Sequence, residues 1–256
     1  MRLALIGFGM ILGVQFTAPP IVVAADLATI RQRGYLVVAV KDNWRPLGFR
    51  DESGELVGLE VDIARQLASE LLGDPEAVVF EPVANTDRLT AVQEDRVDVA
   101  IAGVAITPAR QRLVSFSVPY YLDGIAMVTQ QDSVRELRDL VRGRIAVLEN
   151  SSTIATVRYL LPASTLVGVS SYEAAVEALD TDEADAFAGD LTVLTGWVQE
   201  FPEYRLLPSL LSAAPLAVVM PKGRQYRDLH QSVNEILGRW HETGWLEERS
   251  TYWGLP

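Results

Sequence analysis

The 256-residue chain contains no cysteine. That single absence excludes disulfides, thiolate zinc sites, iron–sulfur clusters and cysteine nucleophiles. It also excludes the lipidated cysteine that tethers some exported proteins to a membrane. Histidine is nearly as scarce, with His230 and His241 the two in the sequence, so a histidine-rich metal site is not expected. Positive charge is the third shortage. Lys and Arg number 22 against 34 Asp and Glu, a net charge of −12, which argues against a nucleic-acid or anionic-membrane partner. Beyond the N-terminal segment no apolar run approaches the ~20 residues needed to span a bilayer, and no Gly/Ser-rich or Pro-rich linker divides the chain.

What is present begins with an address. Met1-Arg2 precedes an apolar run from Leu3 to Phe16, then Thr17-Ala18-Pro19-Pro20 and the small residues Val23-Ala24-Ala25. A basic start, a short apolar stretch and a small-residue exit predict a secretory signal peptide over residues 1–25. The alternative, a retained anchor, meets a run too short to cross a membrane. Gly7-Phe8-Gly9 with Gly13 mimics a dinucleotide fingerprint, but no strand precedes it and no acid follows about 20 residues on. A periplasmic, soluble mature chain is expected.

From Gly34 onward short apolar runs alternate with helical periods. Tyr35–Val40, Ala77–Phe80 and Val97–Ala102 read as strands. Leu59, Ile63, Leu67 and Leu71 recur every four residues, predicting a helix over Leu59–Leu72 stopped by Gly73. Thr86 is a candidate cap for a short helix carrying Leu89 and Val92. Thr107-Pro108 is a cap followed by the favoured first-turn proline. A second series follows: strands Ile125–Thr129, Arg144–Leu148, Thr165–Val169 and Ala184–Ala188, with helices over Val134–Val141, after Ser151 or Ser152, and over Tyr172–Leu179. Leu216–Met220 reads as a last strand, and a helix runs from about Tyr226 to Glu242. Alternating elements predict an α/β fold in two lobes, each a mostly parallel sheet flanked by helices.

Ligands of open α/β sheets bind beyond the carboxyl ends of the strands. The residues there are polar throughout. Lys41 and Trp44 follow the first strand, Asn85 and Arg88 the second, Gly103 to Arg110 the third; Glu149 to Ser152 and Asp190 end strands of the second series. The helix starts at Thr107 and Ser151/Ser152 offer free N–H donors for a carboxylate, and Arg110 adds a planar fork for the same anion. Asp190 suits an ammonium. An anion site beside a cation site fits an α-amino acid. Each residue also has a plainer reading: Asp190 as a helix cap, Arg88 as the ion-pair partner of Asp87 or Asp98, Lys41 as a solvated charge, and His230 and His241 as surface residues.

Several stretches, in order, resemble the family 3 solute-binding proteins, the periplasmic polar amino acid receptors of ABC transporters. They are Pro46-Leu47-Gly48-Phe49, GELVGLEVDIARQL over 54–67, Arg88–Asp98 and AGVAITPAR over 102–110. Phe116-Ser117-Val118-Pro119-Tyr120-Tyr121, Pro221-Lys222-Gly223 and the tail Gly244–Gly254 continue the series. The resemblance implies a type 2 periplasmic-binding fold closing on its ligand. Lobe 1 would be discontinuous, 26–120 and 217–256, lobe 2 would span 125–211, and hinges would lie near 120–124 and 212–216. It implies that Arg110 grips the ligand α-carboxylate with the backbone around Gly103 and Ala105 and with Ser151 and Ser152. Asp190 would take the α-ammonium, and Trp44 would form an aromatic wall.

The departures from the family pattern carry information. Ala105 stands where many members have a hydroxyl, Asn150-Ser151 replaces Gly-Thr, and Asn85 replaces a second aromatic wall. Cations at Lys41 and Arg88 resemble members selecting glutamate or aspartate, with glutamine second, and a one-residue slip of the alignment onto Asp42 would reverse that inference. No cofactor is implied. The partners would be an amino acid and an inner-membrane ABC permease, with the protein a monomer. A cyclohexadienyl dehydratase-like enzyme of the same fold, with Glu149 as its one candidate general acid, and a sensory ligand-binding protein are the alternatives.

Overall fold

The computed structural model describes residues 25–149, 151 and 153–256. The predicted signal peptide up to residue 24, and the site candidates Asn150 and Ser152, lie outside the described residues.

The chain opens with helix α1 (Leu27–Arg33), capped by the Asp26 carboxylate and closed by Gly34 in the left-handed region. Strand β1 (Leu36–Val40) follows, then a small meander of β2 (Asn43–Trp44), β3 (Gly48–Arg50) and β4 (Leu56–Val57). Helix α2 (Leu59–Leu72) leads to β5 (Val78–Pro82), α3 (Thr90–Gln93), β6 (Val99–Ile101), α4 (Pro108–Gln111) and the long β7 (Ser115–Asp123). The second series is β8 (Ile125–Thr129), β9 (Arg144–Leu148), α5 (Thr153–Leu160), β10 (Thr165–Val169), α6 (Tyr172–Asp180), β11 (Ala186–Asp190), α7 (Leu191–Glu200) and β12 (Arg205–Leu206). Strand β13 (Ala214–Met220) and helices α8 (Arg227–Thr243) and α9 (Trp245–Tyr252) complete it.

These elements build two five-stranded sheets. The first has the order β5-β1-β6-β13-β7 and the second β10-β9-β11-β8-β12. In each, four strands run one way and one runs against them, β13 in the first sheet and β8 in the second, so the sheets are mixed but mostly parallel. Each is buried on both faces. Leu36 and Val38 of β1 point to one core and Val37 and Ala39 to the other, and in β8 Ala126 and Val128 oppose Ile125 and Met127, as the two-residue period of a strand requires. Two-sided burial explains why these strands read as unbroken apolar runs.

The chain passes between the sheets twice, at Gly124 and between Leu206 and Ala214. The passages touch. A Cβ at Gly124 would sit 2.0 Å from the Ser212 carbonyl oxygen, and the Ile125 N–H donates to Ser212 Oγ at 3.0 Å.

Two expectations are corrected. In place of a helix over Val134–Val141 there is a single 3-10 turn, Leu137–Leu140. Its Glu136 and Asp139 side chains fold back onto the local backbone, a self-contained turn that stops propagation. The helix expected from Thr86 begins at Thr90 without a side-chain cap. The Thr86 hydroxyl faces the Asp87 carboxylate instead, and Arg88 Nε holds the Asn85 carbonyl at 3.1 Å.

Candidate functional site

Both sheets turn loops toward a cleft of about 560 Å³. Lys41, Trp44 and Asn85 line it from the first sheet's side, and Tyr172, Asp190 and Trp197 from the second's. A side pocket of about 200 Å³ shares Asn85 and contains Arg88 and Arg110. The structure therefore gathers the polar candidates from Lys41 to Asp190 at adjoining walls. Ser151 is not among the residues lining either space. Its hydroxyl accepts from the Thr153 N–H at 2.9 Å, at the start of α5.

Arg110 stands where the Thr107 cap puts it. Thr107 Oγ1 accepts from the Arg110 N–H, and Pro108 occupies the first turn. Its Nη1 donates to the Ala105 carbonyl at 2.8 Å, and no acid pairs with it among the described residues. Ala105 forms an isolated bridge with Leu216. The hydrogen bonds of that bridge come from flanking groups, Ile106 N–H to Pro215 O and Ala217 N–H to Val104 O. In such a pair the central N–H and C=O point outward. A guanidinium fork with spare donors and an outward backbone group suit a carboxylate.

Gly103 plays a different part. At φ +62° a glycine is favoured, and a Cβ would lie 2.8 Å from Trp44 Cζ3, so the indole rests on bare backbone. The Gly103 N–H donates to Glu60 Oε1 at 2.6 Å, and its carbonyl accepts from Arg88 Nη1 at 2.8 Å. Its amide is thus committed within the protein. Arg88 also donates to the Ala102 carbonyl at 2.9 Å. The ion-pair reading of Arg88 is overturned: its partners are three backbone carbonyls, and Asp98 is bound to Arg33.

Lys41 is neither solvated nor ion-paired. It is 5% exposed, its Nζ donates to the Val83 carbonyl at 2.9 Å, and no carboxylate bridges it among the described residues. Burial lowers its pKa, and the nearby Arg88 charge lowers it further. A buried ammonium with two N–H groups to spare at the cleft wall leaves a place for an anion.

Asp190 provides the opposite charge. It occupies the N-cap position of α7, yet its side chain makes no capping bond. The carboxyl opens into the cleft, where burial raises its pKa and the Arg88 charge opposes the rise. Two indole N–H groups on the cleft walls, of Trp44 and Trp197, have no acceptor among the described residues.

Glu149 is exposed and lies over Gly168 of β10, its Oε1 3.5 Å from where a Cβ there would be. It is not among the cleft-lining residues. His230 and His241 each hydrogen-bond a backbone carbonyl, of Pro221 and Pro119.

Sequence reasoning missed Glu60, Tyr172, Trp197 and Asp123. Glu60 is fully buried, accepting from both Gly103 and the Tyr120 hydroxyl, and burial raises its pKa to about 7. A signal existed. Ala64, Ala68 and Leu71 continue Glu60's row on the buried face of α2, so a charge on an apolar stripe announced a buried acid.

The sequence profile of the bacterial extracellular solute-binding proteins, family 3, matches residues 36–256. A glutamine-binding protein of Geobacillus stearothermophilus is 29% identical over 195 residues, covering 75% of this chain and 74% of its own. A glutamate-binding protein of Corynebacterium glutamicum is 30% identical over 207 residues, 77% of this chain and 70% of its own. Among solved structures, an ancestral cationic amino acid solute-binding protein superposes with a TM-score of 0.74 at 25% identity, covering 89% of this chain and 98% of its own. The architecture is the type 2 periplasmic-binding fold. The chain belongs to the family 3 bacterial extracellular solute-binding proteins.

Proposed function

We propose that this chain captures an acidic α-amino acid, glutamate or aspartate, and delivers it as a monomer to an inner-membrane ABC permease. The observation that carries the acidic reading is Lys41, a buried ammonium at the cleft wall with no carboxylate partner among the described residues. Arg110 takes the α-carboxylate and Asp190 the α-ammonium, leaving the side-chain carboxylate to Lys41. Glutamine stands second, since an amide oxygen can accept from Lys41 without neutralising it. Segments 26–120 with 217–256, and 125–211, are the lobes that close, turning at the two chain passages beside Gly124 and Ser212. Ligand shifts that closure by the contacts it makes only in the closed form. Export through residues 1–25 completes the reading.

The function is binding without chemistry. A dehydratase needs an acid poised in the cleft; Glu149, the candidate for that role, lies outside the cleft lining, and Asp190, an acid that does line it, is assigned here to the ligand ammonium.

A thermal-shift screen of the exported protein against amino acids and dicarboxylates tests this, because a ligand of the native state alone raises the melting temperature. Glutamate or aspartate should give the largest shift. A larger shift with arginine or cysteine removes the acidic specificity, and silence across the panel removes the amino acid receptor reading.

A further inference from the structure

The passage from β7 to β8 carries a carboxylate that amino acid binding leaves unused. Asp123, the last residue of β7, is 4% exposed. Its Oδ1 accepts from the Gly124 N–H at 2.8 Å and the Thr192 N–H at 3.1 Å. Its Oδ2 accepts from the Thr192 hydroxyl at 2.9 Å. The neighbouring Leu191 N–H donates to the Gly124 carbonyl at 2.7 Å. The first two amides of α7 are therefore satisfied from the chain passage and not from within the helix.

An aspartate at the N-cap position ordinarily turns its own carboxylate onto the second or third helical amide. At α7 the N-cap residue is Asp190, and the second amide is that of Thr192. Asp123 holds that amide already, and Asp190 makes no capping bond. Asp190 is paired in register with Ile125 across β8 and β11, so its backbone is fixed while its carboxylate stays unengaged and faces the cleft.

We propose that Asp123 is the positioning residue of the ammonium site: by capping α7 in place of Asp190, it releases the Asp190 carboxylate for the ligand. The proposal rests on the amino acid reading above for its ligand readout. It further implies that the ammonium site is tied to the passage between the sheets through the Asp123–Thr192 hydrogen bonds at the start of α7.

The test compares wild type with Asp123→Ala and Thr192→Val in the full mature chain, by calorimetric titration with glutamate and with glutarate, which lacks the ammonium. In Asp123→Ala the vacated Thr192 amide recaptures Asp190. Glutamate affinity should then fall about tenfold, the worth of one charge-assisted hydrogen bond, while glutarate affinity changes less than about twofold. Thr192→Val keeps the amide and loses the hydroxyl, so a smaller loss of the same selectivity is expected. Equal loss for both ligands makes Asp123 a merely structural hinge residue and overturns the proposal, as does no loss for either. If Asp123→Ala fails to fold, Asp123→Leu, which fills the side chain's volume and has no acceptor for the Thr192 amide, decides by the same ratio.

A ligand-free readout separates this proposal from the receptor reading. The Asp190 carboxyl, followed by carbon NMR titration, should lose its raised pKa in Asp123→Ala as it accepts the Thr192 amide. An unchanged Asp190 titration overturns the cap exchange. Failure of wild type to bind any amino acid, with the Asp190 shift observed, would overturn the receptor reading alone.

Discussion

The two sheets share one plan, three parallel strands, then one antiparallel strand, then a fifth that runs with the first three, yet their loops carry opposite chemistry. The first sheet brings Lys41, Arg88 and Arg110 to its strand ends; the second brings the Asp190 carboxylate. On the proposed reading a zwitterion is divided between the halves, its anionic groups matched by one and its ammonium by the other. Neither half is complementary to the whole ligand. Affinity gained only when both walls engage is what lets a ligand select the closed arrangement. A second difference lies in how the charges are held. Lys41, Arg88 and Arg110 all lean on backbone carbonyls of their own half, whereas Asp190 is kept free by a residue of the chain passage.

That division can be broken one charge at a time. Arg110→Ala should have the largest effect, a loss of about 100-fold or more in glutamate affinity, since a forked charge-assisted contact is worth up to about 3 kcal/mol. A change within threefold by calorimetry would remove Arg110 from the site. Asp190→Asn should cost roughly thirtyfold for glutamate and leave glutarate nearly unaffected, whereas Arg110→Ala weakens both, since both carry the carboxylate. Lys41→Met sharpens the comparison within the first half: about tenfold lost for glutamate and little for glutamine. Equal loss would make Lys41 a packing residue. Arg88→Met should give the smallest effect on affinity, a few-fold loss equal for both ligands, because its N–H groups hold Ala102 and Gly103 and not the ligand.

Glu60 offers a pH test of the same half. Its pKa is raised from 4.5 to about 7 by burial, so between those values the native state holds a proton that the unfolded chain has lost. Stability from this group is full below pH 4.5, falls as pH rises through the window, and is level above about 7. Glu60→Gln keeps an oxygen for Gly103 and Tyr120 and cannot ionise. Its stability relative to wild type should therefore improve by roughly 3 kcal/mol between pH 4 and pH 8, measured by denaturant unfolding. A pH-independent difference would mean that Glu60 titrates normally.

Much of the architecture was legible because its strands are buried on both faces. Ile125–Thr129, Arg144–Leu148 and Thr165–Val169 stand as read, and α2 ends at Gly73 as its four-residue spacing requires. Helix α7 was legible only as a helix that Asp190 could cap, without bounds, because it is buried on several sides, Leu191, Thr192, Leu194, Thr195, Gly196 and Trp197 alike, and so shows no polar face. Helix α9 buries only Leu246 and Ser250, too little for a pattern. At the site, residue types at strand ends identified Arg110, Asp190, Lys41 and Trp44 as candidates, and the cleft and its side pocket contain them. What those side chains bond to could not be read. Arg88 on carbonyls, Glu60 beneath Gly103 and Asp123 on Thr192 are contacts between residues 15, 43 and 69 positions apart, set by packing rather than by local spacing.

The pressed contact of Gly124 against the Ser212 carbonyl has a kinetic consequence. Two chain passages that touch would share one axle, so the proposed closure of the halves would reduce to a single rotational coordinate. Such hinge motions run on the microsecond-to-millisecond scale. Capture should therefore relax in one phase after mixing, and the lifetime of the loaded protein should be set by how often that axle swings open.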